Sequence, residues 1–495
     1  MRSGRDRVFQ LWGVGLGVLL LATAVWRWFA SGAPSGGDGF QYLSHALALL
    51  EGRPYGDIGY LYTPLAWSVG PPVYPPGLPL TLAPLFAVFG TASEAPRLLM
   101  HGFLLAFVLL VGRYFARESS REVAWGTAAL VAAALLLTDR PNVVGSDLGL
   151  CAFVWGVLVL ADVGGAWSSG RAAAIGLLGA AALLFRVAAA PLVPAGAVVA
   201  LVRKKSRWMA AAATLLWVGT LLLVSMRFGP GTDPARTMAG GAGGSASGSG
   251  RGLVTMFLWA IERLDTKVLR YRFGLTEALL YPFPGDLAND VYHVAALLLA
   301  GLGLWSWVRK RPLAFSTVFA AMTVLMLAVI PVSQARYLWV LTPFVAYGFL
   351  KGVETLGKGP RAAAIVTAVV IGLSTATAWW TPRTALPSEG GAWTAVVETL
   401  NDLPDPPARV ASNRPRKVTW YARVPAMPLL DDDLSIFLTE ARRLGATHVV
   451  LTATGPDDEV REHFEGWVRG NQGLFALVAE SGPVQVFKIL PDMER

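Results

Sequence analysis

The chain has 495 residues, of which 54% are hydrophobic and only 15% are charged. Its mean hydropathy of +0.50 excludes an ordinary soluble enzyme and indicates a protein that lies largely in a lipid bilayer. The formal net charge of +9 does not indicate nucleic-acid binding, because much of the basic excess lies in short blocks beside apolar runs, where it orients helices. The single cysteine, Cys151, excludes an intrachain disulfide and a cysteine-based zinc site.

Eleven apolar runs are candidate membrane-spanning helices. The first, 9–29, is longer than the ~7–15 residues of a secretory signal core, so we interpret it as a retained helix that enters the membrane from the cytoplasm. The remaining runs are 97–114, 123–138, 147–164, 172–185, 188–202, 207–226, 290–308, 313–331, 337–352 and 362–380. The sequence therefore predicts a polytopic α-helical membrane protein of about 11 spans.

A twelfth run, 77–92, is short and rich in proline, and the positive-inside rule decides whether it crosses the membrane. If it does not cross, the short basic segments between later spans all lie on the cytoplasmic side. These segments are 113–121, the stretch around Arg171, 203–207, 309–311 and 351–361. We therefore predict that 77–92 is a juxtamembrane or re-entrant helix and that the C-terminus lies outside the cytoplasm.

Three long segments are then predicted on the outer face of the cytoplasmic membrane. The segment 30–96 follows the first span, and 227–289 contains a Gly/Ser-rich tract over 238–252 that is expected to be mobile. The tail 381–495 alternates helical stretches (393–400 and 434–444) with short β-like runs (408–412, 447–452 and 483–490). Asp431-Asp432-Asp433 precedes the second helical stretch and is expected to cap it, with metal binding as the less favoured alternative. We predict two domains, a membrane domain over 1–380 and a small extracytoplasmic α/β domain over 381–495.

The segment after the first span is the predicted chemical site. It holds several charged and polar side chains, which a lipid-covered helix would not carry because each charge costs a few kcal/mol or more in hydrocarbon. Asp38 and Gln41 have the spacing of a capping box, and apolar residues from Phe40 to Leu50 line one face of a helix that we expect to lie in the membrane interface. Asp38 could equally act as a general base, and the two roles do not exclude each other.

Two further groups lie at predicted outer turns. Asp139 and Asp147 form a group of carboxylates at the outer surface that could take part in chemistry, although a cap at the start of a helix accounts equally well for Asp147. Arg186, Arg336 and Tyr337 suit a phosphate in the lipid headgroup layer, with ordinary snorkelling as the alternative. The five histidines show neither an HExxH motif nor a pairing with cysteine, so a zinc hydrolase site is not indicated.

The order of these motifs resembles the GT-C glycosyltransferases, and most closely family 39, which includes protein O-mannosyltransferases and lipid A aminoarabinose transferases. The resemblance covers roughly 9–380. It is carried by Gly37-Asp38-Gly39-Phe40-Gln41-Tyr42-Leu43, Gly52-Arg53-Pro54-Tyr55, Tyr74-Pro75-Pro76-Gly77-Leu78-Pro79-Leu80, Ser146-Asp147-Leu148, Arg186 and Arg336-Tyr337. Unlike the protein O-mannosyltransferases, this chain has no Asp-Glu pair after the first span and no recognisable sugar-binding MIR module.

The resemblance implies transfer of a sugar from a polyprenyl-phosphate donor, with inversion, to a lipid, glycan or protein acceptor on the outer face. Asp38 would be the catalytic base, and Arg186, Arg336 and Tyr337 would bind the donor phosphate. Asp139 and Asp147 would position the acceptor or a metal. Residues Gln41, His45 and Tyr74 would line the cavity. A divalent cation held by Asp38 and Asp147 is left open, and no other cofactor is implied.

Two other classes of protein remain as alternatives. A transporter or flippase of lipid-linked sugars would use the same basic residues to hold phosphate, but inverted repeats or matched broken helices would favour it and the sequence shows neither. A membrane sensor that displays the tail would leave Asp38 replaceable. The sugar, the acceptor and the oligomeric state are not indicated by the sequence.

Overall fold

The computed structural model describes residues 2–30, 37–63, 65, 74–92, 94–162, 166–202, 207–228, 279–283, 285–329, 335–357, 359–380, 389–430, 433–452 and 459–491. Within these ranges the first nine helices are α1 (Arg2–Ala30), α2 (Gly37–Leu50), α3 (Gly77–Phe89), α4 (Ala95–Phe115), α5 (Arg121–Leu137), α6 (Asp147–Ala161), α7 (Ser169–Phe185), α8 (Leu192–Val202) and α9 (Arg207–Phe228). They are followed by α10 (Asp286–Lys310), α11 (Phe315–Val329), α12 (Thr342–Leu356), α13 (Pro360–Trp380), α14 (Glu389–Asn401), α15 (Pro415–Tyr421), α16 (Leu434–Leu444) and α17 (Glu459–Gly470). The predicted mobile tract 238–252 lies outside the described residues.

Each of the eleven predicted apolar runs overlaps a helix, and the proline-rich run 77–92 forms α3. Among the described residues, α4, α10 and α13 are long and apolar enough to cross a membrane by length and composition. All three carry large apolar side chains that are exposed in the protein, such as Leu105, Leu298 and Ile365, and a bilayer would cover such a surface. The helical class is confirmed, and the number of crossings stays a prediction.

The chain forms two compact units. The first contains the described residues of 1–31, 96–227 and 238–382, and its helices pack closely where they carry glycine. A Cβ atom added to Gly303 would lie 2.0 Å from the carbonyl oxygen of Gly348, so the backbones of α10 and α12 are in direct contact. Small residues that allow such close approach are typical of helix pairs in membranes.

The second unit contains the described residues of 32–95, 228–237 and 383–495. Its tail portion is a five-stranded sheet in the order β2-β1-β3-β5-β4, in which β1 is parallel to β2 and β3 while β5 is antiparallel to β3 and β4. The strands are β1 (Val410–Ser412), β2 (Ala426–Pro428), β3 (His448–Thr452), β4 (Phe475–Ser481) and β5 (Val484–Ile489). Buried apolar side chains lie on both faces of the sheet, as expected where helices cover it.

The tail matches the predicted alternation of helices and strands in part. Helices α14 and α16 and strands β1, β3 and β5 lie where the sequence predicts them, and β2, β4, α15 and α17 are additional. Asp433 caps α16 as predicted, because its side chain accepts a hydrogen bond of 2.6 Å from the backbone N–H of Ser435. Asp431 and Asp432 lie outside the described residues.

The segment after the first helix joins the edge of this sheet. The N–H of Leu61 donates to the carbonyl of Ala426 at 2.9 Å, and the N–H of Ala426 donates to the carbonyl of Gly59 at 3.0 Å. These bonds cover the open edge of β2. The grouping therefore differs from the predicted domains, because 32–95 belongs with the tail rather than with the rest of 1–380.

Helix α2 also differs from its predicted environment. Phe40 and Leu43, expected to face lipid, are buried, and so are Gln41 and His45 from the expected polar side. The prediction of an amphipathic helix in the membrane interface is therefore wrong. The helix is surrounded instead by α3, by α15 and by the loop that follows it.

Candidate functional site

Asp38 lies in the first turn of α2, where a negative charge suits the N-terminal end of the helix. Its Oδ1 accepts a hydrogen bond of 2.8 Å from the hydroxyl of Tyr74 and one of 2.9 Å from Nη1 of Arg416. The helix begins at Gly37, so Asp38 is inside it and not at the cap position that the capping-box pattern predicts. The side chain of Asp38 is 29% exposed and that of Arg416 is 17% exposed, so the carboxylate is partly open to solvent.

Tyr74 is held in place by a stack of aromatic side chains. The His45 ring stacks on the Tyr55 ring with centroids 4.2 Å apart, and the Tyr55 hydroxyl donates to the carbonyl of Tyr74 at 2.7 Å. The ring of Tyr42 meets that of Tyr74 edge-on at 5.2 Å. Burial and the nearby charge of Asp38 raise the pKa of Tyr74 well above its usual value. Tyr74 is therefore a protonated donor to Asp38 at neutral pH.

The three residues predicted to line a cavity have different positions. Tyr74 contacts Asp38 directly, and His45 lies behind Tyr74 with its Nδ1 2.7 Å from the carbonyl oxygen of Tyr55. Gln41 is buried, and its side-chain amide forms no hydrogen bond with any residue in the described part of the chain. The carboxylate thus accepts hydrogen bonds from a phenol and from a guanidinium.

Arg416 is the functional candidate that the sequence reasoning missed. It belongs to α15 and lies 378 residues from Asp38 along the chain. Its guanidinium also lies over the rings of Tyr60 and Tyr74, at 5.7 Å and 6.0 Å from their centroids. One signal was available, since the basic run 414–417 lies in the predicted outer tail, where the positive-inside rule does not call for it.

In the first unit, three of the predicted residues come together. Nη1 of Arg186 lies 2.5 Å from Oδ1 of Asp147, and the two side chains are 13% and 9% exposed. The Arg186 guanidinium lies 4.8 Å from the centroid of the Tyr337 ring. Arg336 precedes Tyr337 and is half-buried. Because Arg186 follows α7 and Asp147 begins α6, this ion pair joins the ends of two packed helices.

Asp139 occupies a turn with the left-handed backbone angle φ of 61°, which is unusual for a residue other than glycine. Its Oδ1 accepts a hydrogen bond of 2.7 Å from the side-chain amide of Asn142. The guanidinium of Arg140, the next residue, lies 4.7 Å from the ring centroid of Trp339.

The described residues do not fit a metal centre. None of them form a group of three His, Cys, Asp or Glu side chains that could hold an ion. Asp38 and Asp147, the candidates for a shared cation, each already pair with an arginine. We therefore derive no step through a metal.

Comparison with known proteins gives structural matches only. No family model matches the chain, and no curated protein matches it. ArnT from Cupriavidus metallidurans, solved with undecaprenyl phosphate, matches with a TM-score of 0.58 at 14% identity over 97% of this chain and 98% of its own. The oligosaccharyltransferase AglB from Archaeoglobus fulgidus, solved with an inhibitory peptide and a dolichol phosphate, matches with a TM-score of 0.55 at 12% identity over 88% of this chain and 69% of its own.

Both proteins are GT-C glycosyltransferases. This chain shares their fold. The predicted resemblance is confirmed at that level, and it extends beyond 9–380 because the ArnT match covers nearly the whole chain. AglB has also been crystallised with zinc and sulfate, in a structure that matches with a TM-score of 0.54 at 13% identity over 88% of this chain and 68% of its own.

Proposed function

We propose that this protein is an integral-membrane glycosyltransferase that moves a sugar from a polyprenyl-phosphate donor to an acceptor hydroxyl. The fold supports the proposal, because ArnT and AglB share it and were solved with undecaprenyl phosphate and dolichol phosphate. The observation that carries it is Asp38, a partly exposed carboxylate held at the start of a buried helix by Tyr74 and Arg416.

In the proposed reaction, the acceptor oxygen attacks the anomeric carbon of the donor while Asp38 accepts the proton of the acceptor hydroxyl. The bond between the anomeric carbon and the phosphate oxygen breaks, and its electron pair leaves with the lipid phosphate. A single displacement of this kind inverts the anomeric configuration. The carboxylate must be deprotonated to act, and hydrogen bonds from Tyr74 and Arg416 favour that form.

Arg186, Arg336 and Tyr337 are the proposed ligands of the donor phosphate. A guanidinium binds phosphate oxygens through two parallel hydrogen bonds, and its fixed charge offsets the charge that develops on the leaving group. Arg186 is already oriented by Asp147 and by the Tyr337 ring. Asp139 and Asp147 remain candidates for positioning the acceptor. We place the reaction on the outer face of the cytoplasmic membrane, with the N-terminus inside and the tail outside.

The decisive experiment uses the purified full-length protein, a radiolabelled polyprenyl-phosphate sugar and a cell-envelope lipid extract as the source of acceptor. Asp38→Asn keeps the shape of the side chain but removes the base, so we expect transfer to fall by roughly 10²- to 10⁴-fold. Asp402→Asn, an exposed change in the same unit, is the matched control and should leave transfer unaltered. Full activity of Asp38→Asn would remove the base assignment, and lipid transport without sugar transfer would favour a flippase.

A further inference from the structure

The second unit contains a cavity that is separate from the Asp38 carboxylate. Its volume is about 580 Å³, within the ~300–1,000 Å³ range of small-molecule sites. One wall is the second half of α2 with the loop that follows it, and the other is the tail segment 419–425. The lining residues used below are Ser44, Glu51, Arg53, Asp57, Thr419 and Arg423.

Asp38 does not line the cavity. Each residue advances a helix by about 1.5 Å along its axis, so Ser44 and Leu47, which line the cavity, lie about 9 Å and about 13 Å along α2 from Asp38. A ligand in the cavity is therefore about one or two sugar units away from Asp38, and the reacting hydroxyl would belong to a different part of the same molecule.

The charged side chains that line the cavity have a net charge of zero. Nε of Arg53 lies 2.6 Å from Oε2 of Glu51, and its Nη1 lies 3.6 Å from Oδ2 of Asp57. Arg423 supplies the second positive charge, so two guanidiniums face two carboxylates. A phosphate dianion calls for an excess of positive charge, which this wall lacks. Alternating donors and acceptors of zero net charge instead match sugar hydroxyls, each of which both donates and accepts.

A buried hydroxyl on this wall has no partner. Thr419 lines the cavity and is 7% exposed, and its Oγ1 is buried and forms no hydrogen bond with any of the described residues, so a ligand reaches this hydroxyl after the side chain rotates about χ1. An unsatisfied buried hydroxyl costs about 1–3 kcal/mol, which a ligand that bonds to it would recover. The wall is also preformed, because Arg423 has φ of 58° and its guanidinium lies 4.5 Å from the ring centroid of Trp420. Such backbone conformations are concentrated at ligand sites.

We propose that this cavity binds a neutral carbohydrate, namely the part of the acceptor glycan that lies one or two sugars from the reacting hydroxyl. The inference rests on the proposed glycosyltransferase function and names the class of acceptor. Arg53, Arg423, Glu51 and Asp57 bind the sugar hydroxyls, and Thr419 gains its missing hydrogen bond. The tail therefore selects the acceptor, because it supplies Thr419 and Arg423.

The test measures binding directly, without turnover. Full-length protein in nanodiscs is titrated with neutral linear tetrasaccharides of mannose, glucose, galactose and arabinose by saturation-transfer NMR, and with inorganic phosphate and pyrophosphate. We expect saturable binding of at least one tetrasaccharide and none of the anions. Thr419→Val should weaken that binding about fivefold, the loss of one hydrogen bond of ~1 kcal/mol, while the protein stays at least as stable, since the hydroxyl is unpaired without ligand.

Thr399→Val is the matched control, because Thr399 lies in the same unit with the same 7% exposure and does not line the cavity. Asp38→Asn should lower transfer by roughly 10²- to 10⁴-fold but leave tetrasaccharide binding unaltered, so failure of the proposed function and failure of this inference give different results. Absence of saturable tetrasaccharide binding at ~10 mM overturns the inference. So does equal binding by wild type and Thr419→Val, or anion binding that Arg423→Gln removes.

Discussion

Removal of the Arg416 guanidinium tests whether the tail is fastened to Asp38 by an ion pair. The two atoms are 2.9 Å apart, and the side chains are 17% and 29% exposed. A hydrogen bond to a charged group contributes about 1.5–3 kcal/mol when buried, whereas exposed ion pairs contribute about 0–1 kcal/mol. Because this pair is mostly buried but still reached by water, we expect a coupling free energy of about 1.5 kcal/mol between Arg416 and Asp38.

The assay is a double-mutant cycle with Asp38→Asn, Arg416→Gln and the combined variant. Thermal unfolding of the full chain is followed in detergent by the fluorescence of its tryptophans. A loss of 1 kcal/mol shifts the midpoint by roughly 2–4 °C for a unit of this size, so Arg416→Gln should lower it by about 3–6 °C. The combined variant should lose less than the sum of the single losses, because each single change already breaks the pair.

Lys417→Gln is the control for this cycle. Lys417 is the next residue on the same helix, but its ammonium lies over the rings of Phe40 and Trp393, at 5.6 Å and 5.7 Å from their centroids. The stability lost in Lys417→Gln should therefore add to the stability lost in Asp38→Asn, with no coupling free energy between the two changes. Additive losses for Arg416→Gln and Asp38→Asn, within about 0.5 kcal/mol, would refute the reasoning. The tail would then be held on α2 by contacts other than this ion pair.

Three further predictions concern packing, pH and the donor phosphate. Gly348→Ala should destabilise the protein by about 1–3 kcal/mol in thermal unfolding, because its Cβ would lie 2.5 Å from a carbonyl of α10, whereas Gly372→Ala meets no atom within 4 Å and should not. Because the pKa of Tyr74 is raised in the folded protein, the unfolded chain loses the phenol proton at a lower pH than the folded protein does. The contribution of the protonated phenol to the free energy of unfolding is therefore fully present below about pH 10, and it falls by up to ~1.4 kcal/mol per pH unit as the pH rises above that value. Between pH 10 and pH 11 the melting temperature of Tyr74→Phe should fall less than that of the wild type. Arg186→Gln should weaken binding of undecaprenyl phosphate about tenfold or more, because the guanidinium is the proposed phosphate ligand. Asp147→Asn leaves that guanidinium in place without its ion-pair partner and should not weaken binding. Equal losses of affinity in the two variants would mean that the Arg186–Asp147 ion pair has only a structural role.

The helices of the first unit could be predicted from the sequence because their lengths are set by an apolar environment. The predicted runs 97–114 and 362–380 correspond to α4 and α13 within two residues at each end. No such rule applies to short strands. Strand β2 has only three residues, and β4 is mostly exposed with a register shift between Leu477 and Ala479, so neither produces a regular alternation.

The environment of α2 could not be predicted because it depends on distant parts of the chain. Its apolar stripe is what a membrane-surface helix would show, yet Phe40 packs against Tyr421 of the tail, with centroids 5.5 Å apart. Its polar residues point to water only if nothing covers them, and here Tyr55 stacks on His45. Periodicity identifies which residues share a face of a helix, and tertiary contacts decide what that face meets.

Asp38 was predicted as the catalytic base from its position after the first span. In the structure, a residue of the tail contacts and orients its carboxylate. Tyr74 is a neutral donor to this carboxylate. Arg416 adds a fixed positive charge, and the bonds between Leu61 and Ala426 tie the loop after α2 to the sheet that carries the arginine. The tail thus orients the candidate base through Arg416 and completes the cavity wall through Thr419. A change in the tail that leaves α2 intact should therefore alter both proton acceptance and acceptor binding, which is the behaviour expected if the tail is part of the site.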